Sequence, residues 1–437
     1  MDRRSFSKIM CTLPALSTLP GCWASPENRY TLRNLATDDA STALYPSELK
    51  AFKESSKFIN AWGIAIRPAG AGGHFWVTAG QYSYQFLGDV NASSNPALRS
   101  LSQDNLKLVE IPGTLDPSAP GFATGTVFNG AALDSAQFVV QNQPVQLNGQ
   151  TVQLSGSARF LFATDTGVVS GWTERDPARP GTPVREDGPA VAMIDDSANG
   201  AAFFGLAIRP DDWSTLWVAD FGRSPRLRQF NDQWQETELA GFTNPFSSGP
   251  NGQLLPGDYA PFNVQVLRVG ERWFVFVAYA KTQADPDDSA QFFAAEEDAI
   301  AAGVETAKPD RGKVVMYTLE GQLIQIFDSK RLNAPWGLAI APADFGALSG
   351  HLLVGNFGGR GRIAAFDVLT GRFVDWLRGD DDQVIGIPGL WGLQFGNGQS
   401  LGDSNALYVA AGPGDETQGL FAALRPAPPT TVGSNKR

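Results

Sequence analysis

The chain repeats one short apolar strand signal six times, and each copy opens on a bulky residue followed by Gly or a substitute. The openings lie at Trp62-Gly63, Thr124-Gly125, Phe204-Gly205, Phe262-Asn263, Trp336-Gly337 and Trp391-Gly392, spaced 55 to 80 residues apart. Irregular repeats of this length are typical of radial blades that carry insertions. The pattern therefore predicts an all-β, six-bladed β-propeller with blades opening near residues 62, 124, 204, 262, 336 and 391.

Further apolar strands follow each opening, rich in β-branched and aromatic residues and bounded by Gly, Asp or Pro. The sixth blade has room for only three strands before a Pro-rich tail. We expect the strand at 30–35 to pair with the strand at 419–424 and to close the ring, because closure removes free strand edges. The prediction is one propeller domain over 30–424 and a disordered tail over 425–437.

Two insertions interrupt the repeat. Residues 131–157 alternate apolar and polar positions, which predicts an extra hairpin between the first two strands of blade two. Residues 289–307 combine an apolar run with a run of acids, which we interpret as a short helix in blade four that could act as a lid.

Strand directions place the polar and aromatic candidates on one face. Antiparallel strands bring the openings of first strands and the ends of second strands to the same face of a propeller. We predict a ligand site there, at the mouth of the central channel. Its residues are Asn60, Trp62, Asp165, Phe204, Asp220, Arg223, Asn263, Tyr279, Lys281, Asn333, Trp336, Asn356, Trp391 and Asp415.

Each group in this set has a structural alternative. Asp220 and Asn356 follow apolar strands and can cap turns, because Asp and Asn side chains bond to nearby backbone amides. The aromatic residues before Gly can pack between blades through their large apolar area. The glycines of the openings are expected where another backbone approaches closely.

Composition narrows the range of functions expected for the chain. The chain has 45 acidic and 34 basic residues, a net charge of −11, which disfavours nucleic-acid binding. The two cysteines, Cys11 and Cys22, both lie near the start. The two histidines, His74 and His351, precede second strands and are expected on the face opposite to the predicted site. A Ser-His-acid triad is therefore disfavoured.

The first 24 residues read as an export signal. Arg3 and Arg4 precede an apolar stretch that is too short to span a bilayer, in a pattern that resembles a twin-arginine signal. The run that ends at Cys22 resembles a lipobox, which would lipidate Cys22. Cleavage after 22–24 is the alternative. We expect an exported protein in the periplasm or at the cell surface, with membrane contact only through such an anchor.

Several longer motifs carry a family resemblance. The segments 259–263, 333–342, 353–358, 389–393 and 411–416 resemble an uncharacterised family of exported bacterial proteins, some of which end in a PEP-type sorting signal. More distantly, 218–227 and 354–363 are similar to NHL repeats and to six-bladed gluconolactonase-like propellers. That resemblance implies calcium with Asn and Asp ligands, for which Asp165, Asp220, Asn263 and Asn356 are the candidates. The first blade opens on Asn60 rather than on an acid, which departs from the pattern.

Two functions follow. The first is a non-catalytic envelope protein whose channel mouth binds a small molecule, a glycan or a protein partner. The second is a divalent-metal-dependent hydrolase of lactones or esters, in which the ion polarises a carbonyl group or activates water. No cofactor is evident from the residues themselves, and calcium or another divalent ion belongs to the second function.

Overall fold

The strands of the computed structural model form six blades around one axis. The structure describes residues 27–38, 57–113, 121–284, 292–295 and 308–428. Each blade is a four-stranded antiparallel sheet, and two blades add a further short strand. The predicted six-bladed propeller is confirmed.

Blades one to three follow the chain order, with the first strand innermost. Blade one contains β2 (Ala61–Ala65), β3 (Phe75–Ala79), β4 (Tyr82–Phe86) and β5 (Leu108–Glu110), with β11 (Gly188–Pro189) parallel to β5. Blade two contains β6 (Ala123–Phe128), β9 (Phe160–Thr164), β10 (Val168–Trp172) and β12 (Val191–Asp195). Blade three contains β13 (Phe203–Ile208), β14 (Thr215–Asp220), β15 (Arg226–Asn231) and β16 (Glu236–Thr237).

Blades four to six complete the circle. Blade four contains β17 (Tyr259–Val269), β18 (Arg272–Ala284), β20 (Gly312–Tyr317) and β21 (Leu323–Phe327). Blade five contains β22 (Pro335–Ile340), β23 (Leu352–Asn356), β24 (Ile363–Phe366) and β25 (Phe373–Trp376). Blade six contains β26 (Leu390–Phe395), β27 (Leu407–Ala411), β28 (Leu420–Pro426) and, at its outer edge, β1 (Tyr30–Thr37).

The N-terminal strand closes the ring as expected. β1 pairs antiparallel with β28, from Tyr30 opposite Pro426 to Thr37 opposite Leu420. β28 continues two residues past Leu424, into the segment for which the sequence predicted a disordered tail. Arg425 is held there by Asp89, 2.7 Å away, and by Asp403, 3.0 Å away. The tail from 429 onward and the leader over 1–24 lie outside the described residues.

The six innermost strands touch one another around the axis. β2, β6, β13, β17, β22 and β26 each contact the next, and β26 returns to β2. Glycine permits this approach, because a carbon added at Gly63 would lie 2.8 Å from the Thr124 carbonyl oxygen. In blade four Asn263 replaces the glycine, and its Nδ2 donates to the Trp336 carbonyl oxygen at 2.8 Å. The expected close backbone approach at the openings is confirmed.

One insertion matches its prediction and one does not. β7 (Val139–Leu147) and β8 (Gln150–Ser157) form the extra hairpin of blade two. In the second insertion, Phe292–Ala294 forms strand β19, paired with the end of β18, instead of the predicted helix. This strand extends the edge of the sheet. The apolar run at Phe292–Ala294 therefore did not indicate a helix. The rest of 289–307 is not described, apart from Ala295.

Helical structure in the described ranges is limited to short 3-10 turns. These turns cover Pro96–Leu98, Ser197–Asn199, Pro250–Gly252 and Gly346–Leu348. Within these ranges, no helix has the length and apolar character needed to cross a membrane.

Candidate binding site

One end of the axial channel is filled by aromatic side chains, which we call the aromatic plug. Its members precede the Gly or Asn of five blades: Trp62, Phe204, Phe262, Trp336 and Trp391. Trp62 stacks on Trp391 with ring centroids 3.5 Å apart, and Trp336 meets both rings edge-on at 5.9 and 6.0 Å. Trp391 is only 2% exposed. The aromatic residues therefore have a packing role, as the structural alternative expects, but they pack against one another across the axis rather than between blades.

Hydrogen bonds fix two of the plug indoles. The Nε1 of Trp391 donates to the Oδ1 of Asn60 at 2.9 Å, and the Nε1 of Trp336 donates to the Phe204 carbonyl oxygen at 3.1 Å. Asn60 has a positive φ of 47° and also donates from Nδ2 to Glu416 at 2.9 Å. Asn60 is thus a structural partner of the plug, joining the openings of blades one and six.

Two carboxyl groups near the plugged end have raised pKa values, and one of them, Glu416, contacts the plug partner Asn60. Burial raises the pKa of Asp165 to about 6, although the Phe122 amide, whose nitrogen is 2.8 Å away, lowers it in part. Burial also raises the pKa of Glu416, against the hydrogen bond from Asn60. The charge of Glu416 contributes to the raised pKa of Asp165. Burial is thus the main cause of both raised pKa values.

The four predicted metal ligands are engaged in hydrogen bonds with the backbone. The Oδ1 of Asp220 accepts from the Ala202 and Gly222 amides at 3.1 and 3.0 Å, and burial raises its pKa. Asn356 accepts from the Asn333 amide at 2.9 Å, while Asn263 and Asp165 bond as described above. Over the described ranges, no group of three or more His, Cys, Asp or Glu side chains is arranged to hold a metal ion. The calcium-dependent hydrolase stays a prediction, which metal analysis of the purified protein would check.

The remaining predicted residues are spread over the same face. Asn333 is buried at the opening of blade five, and Tyr279 bonds to the Tyr317 hydroxyl at 2.9 Å inside the packing between blades three and four. Lys281 lies 6.0 Å above the Tyr259 ring, whereas Arg223 and Asp415 are exposed. The structure does not gather these five side chains into one cavity with the plug.

A cavity occupies the opposite half of the channel. Its volume is about 820 Å³, and Trp336 and Asn263 form its closed end. The walls are mostly aliphatic side chains of the innermost strands, and Thr126 and Gln265 add polar groups. Residues that follow first strands, precede second strands or, for Trp273, begin a second strand surround the open end: Arg67, Pro68, Arg159, Pro210, Trp213 and Trp273. The channel is thus closed by the plug at one end and open at the other.

Sequence reasoning missed the open end and its arginines. Arg67 and Arg159 are 6% and 8% exposed, and both line the cavity. They share the face of His74, as the strand directions expect, but His74 is bonded to Asp104 at 2.9 Å and does not line the cavity. The signal was present, because Arg67 follows the first strand of blade one and Arg159 precedes the second strand of blade two.

Fold and site together define a six-bladed β-propeller with an axial cavity that opens on one face. Among known proteins, the chain is 26% identical over 84% of its length to the uncharacterized protein R648 of Acanthamoeba polyphaga mimivirus, covering 74% of that protein. It is 29% identical over 48% of its length to the uncharacterized protein L690 of the same virus, covering 49% of that protein. No family model matches the chain.

Among solved structures, the chain is similar to the WD40 domain of Neurospora crassa Pan2. It matches 93% of this chain and 98% of that chain at 10% identity, with a TM-score of 0.39. The fold assignment itself rests on the strand order given above. The resemblance noted in the sequence is confirmed for the propeller fold, but these relatives are viral rather than bacterial. Kinship with exported bacterial proteins stays a prediction.

Proposed function

We propose that this protein is a binding protein that holds a small, largely apolar molecule in its axial cavity. The observation that carries the proposal is the cavity of about 820 Å³, closed by the plug and open on the other face. Pockets that enclose small molecules usually measure about 300 to 1,000 Å³ and are lined mainly by apolar side chains with a few polar groups. Of the predicted ligand-binding residues, Trp336 and Asn263 take part, as the closed end of the cavity.

Binding is favoured over catalysis by the chemistry of the lining. Its charged side chains are two arginines, and arginine stays protonated in proteins. Among the described residues that line the cavity there is no Asp, Glu, His, Lys, Tyr or Cys. These are the side chains that usually transfer protons or form covalent intermediates.

The test is titration with N-phenyl-1-naphthylamine, a neutral probe that fluoresces in apolar surroundings. We expect saturable binding to the wild type and at least about fivefold weaker binding to Thr126→Trp/Val266→Trp, which adds bulk on two walls of the cavity. The matched control is Ile324→Trp/Val374→Trp, which introduces the same two tryptophans at residues 45% and 43% exposed on the outer strands. Equal affinity in both double variants would contradict the proposal, and Thr126→Trp alone provides a milder variant.

Export is a separate proposal that rests on the leader sequence. We infer that the chain is carried to the cell envelope and anchored through Cys22, both of which concern residues outside the described ranges. Fractionation of the full chain produced in a bacterial host tests this. We expect it in the membrane fraction and expect Cys22→Ser to release it. A wild-type chain that stays in the cytosol would contradict export, and an unchanged Cys22→Ser distribution would contradict the anchor.

A further inference from the structure

Three arginines surround one buried glutamate at the open end of the cavity. Glu174, 1% exposed, accepts from the Nη2 of Arg67 at 2.8 Å and from the Nε of Arg185 at 2.9 Å. The Nε of Arg159 lies 3.4 Å from its other oxygen. Burial raises the pKa of Glu174, but the bonds and charges of Arg67 and Arg185 outweigh burial and hold that pKa below its usual value. The group therefore carries one negative charge against three positive charges.

Arg67 and Arg159 together have more N–H donors than the described residues around them have acceptors. A guanidinium group has five N–H donors. The Nη1 of Arg159 donates to the Asn129 and Ala131 carbonyl oxygens at 2.7 and 3.0 Å, while Arg67 is bonded through Nη2 to Glu174. The Nε of Arg67 is buried and has no hydrogen-bond partner within the described chain, and the Nε of Arg159 has only its long contact of 3.4 Å to Glu174. A buried cationic donor without an acceptor is costly, so an anion reaching this end of the cavity would be stabilised.

The charge at the open end of the cavity is opposite in sign to the net charge of the chain. The chain carries a net charge of −11, yet Arg67 and Arg159 are the charged side chains on the cavity wall, and no acidic side chain lines the cavity in the described ranges. Arg185 adds a third positive charge from a side chain that is 37% exposed. Aliphatic walls between the plug and this positive end match a molecule with an apolar body and one anionic end.

We propose that the axial cavity selects an apolar molecule that carries one anionic oxygen group, with the apolar body between the innermost strands and the anion at Arg67 and Arg159. This inference rests on the proposed function and specifies the class of its ligand. Carboxylate and phosphate groups share the chemistry required, because both accept paired hydrogen bonds from a guanidinium group.

The matched probes are N-phenyl-1-naphthylamine and 8-anilino-1-naphthalenesulfonate, which share one aromatic body and differ by a sulfonate group. We expect the sulfonate probe to bind the wild type at least about tenfold more tightly, the factor typical of a hydrogen bond to a charged group. Thr126→Trp/Val266→Trp should weaken both probes, which assigns binding to the cavity. Tighter or equal binding of the neutral probe would overturn the anion preference and leave the proposed function standing. Failure of both probes to bind would overturn the proposed function itself.

The arginine assignment is tested by Arg67→Gln with Arg185→Gln as control. Both remove one charge and one bond to Glu174, but Arg67 lines the cavity and Arg185 does not. We expect Arg67→Gln to weaken the sulfonate probe about tenfold with the neutral probe unchanged, and Arg185→Gln to change it less than about threefold. Arg67→Lys, which keeps the charge, should recover part of the affinity. Equal loss of both probes in Arg67→Gln would show a structural role and overturn the assignment.

Competition separates the two chemical sources of the anion. Decanoate and decyl phosphate share a ten-carbon chain and differ in the head group, and decanol is the neutral control. We expect at least one of the two anions to displace the sulfonate probe at a concentration about tenfold lower than decanol does. The more effective of the two identifies the head group. Equal displacement by decanol and both anions would contradict selection of an anion.

Discussion

The two ends of the axial channel are built from the same six strands but differ in what their side chains do. At the plugged end, five blades contribute an aromatic residue, and the rings fill the axis with contacts as close as 3.5 Å between centroids. At the other end, aliphatic residues, Gln265 and Thr126 leave a cavity of about 820 Å³ beside two buried arginines. The regular end of the channel thus holds the ring together, and the irregular end has room for a ligand. In this propeller the repeated positions mark the architecture, and the departures from the repeat mark the candidate site.

The largest difference between the ends concerns stability. We expect Trp391→Ala to lower the free energy of unfolding by about 3 to 5 kcal/mol, because it leaves a void among four packed rings. Trp273→Ala, at the open end where the side chain is 40% exposed, should cost less than about 1 kcal/mol. Denaturant unfolding measures both. A Trp391→Ala variant as stable as Trp273→Ala would mean that the plug does not hold the ring.

The second-largest loss of stability is expected where the innermost strands approach one another closely. We expect Gly63→Ala to cost about 1 to 3 kcal/mol, because the new carbon would lie 2.8 Å from the Thr124 carbonyl oxygen and 2.9 Å from the Thr126 amide nitrogen, both backbone atoms. Gly379→Ala is the control, since its nearest neighbour is the Asp381 side chain at 3.0 Å, which can move aside. Thermal unfolding compares the two variants. Equal melting temperatures would contradict a tight contact between the first strands.

The pH dependence separates the ends further. The folded protein binds the Asp165 proton more tightly than the unfolded chain does, because burial raises this pKa from 3.8 to about 6. Stability should therefore fall as the pH rises from about 4 to about 6. The full shift corresponds to at most about 3 kcal/mol, and partial solvent contact reduces this to about 1 to 2 kcal/mol.

Asp165→Asn keeps an acceptor for the Phe122 amide and removes the titrating group. Urea unfolding at several pH values should show a flatter profile in this variant than in the wild type. Asp415→Asn, at an exposed residue of the same face, serves as control and should keep the wild-type slope. A wild-type slope in Asp165→Asn as well would rule out burial of this carboxyl group as the cause.

The smallest effect compares two threonines of one strand. The Oγ1 of Thr124, at the plugged end, donates to the Phe203 carbonyl oxygen at 2.6 Å, whereas the Oγ1 of Thr126, on the cavity wall, is buried without a partner in the described chain. We expect Thr124→Val to cost about 1 kcal/mol and Thr126→Val to leave stability unchanged or raise it slightly. Melting temperatures compare the two. A larger loss for Thr126→Val would show that its hydroxyl group is already bonded.

Most of the fold could be predicted because the repeated strand openings indicate the number of blades and the innermost strand of each. Each aromatic-Gly opening marks an innermost strand, and the strand deficit of blade six required β1 as a partner for β28. The helix predicted around Phe292 was wrong. Three apolar residues suit a short strand as well as a helical turn, and pairing with β18 made this segment a strand.

The candidate site was predictable only in part. Strand directions correctly grouped the aromatic residues on one face, but one strand does not reveal how closely six strands approach, so the sequence did not distinguish a lined mouth from a packed plug. Arg67, Arg159 and Glu174 come from loops of two blades and follow no periodic pattern. Both arginines nevertheless lie next to strands whose directions place them near the axis on the opposite face.

The most direct measurement is a crystal structure of the protein with bound 8-anilino-1-naphthalenesulfonate. We predict that the rings lie in the cavity between β6 and β17 and that the sulfonate group is within hydrogen-bonding distance of Arg67 or Arg159. A probe bound against the outer surface of the plug, or on an outer strand with the cavity empty, would contradict it.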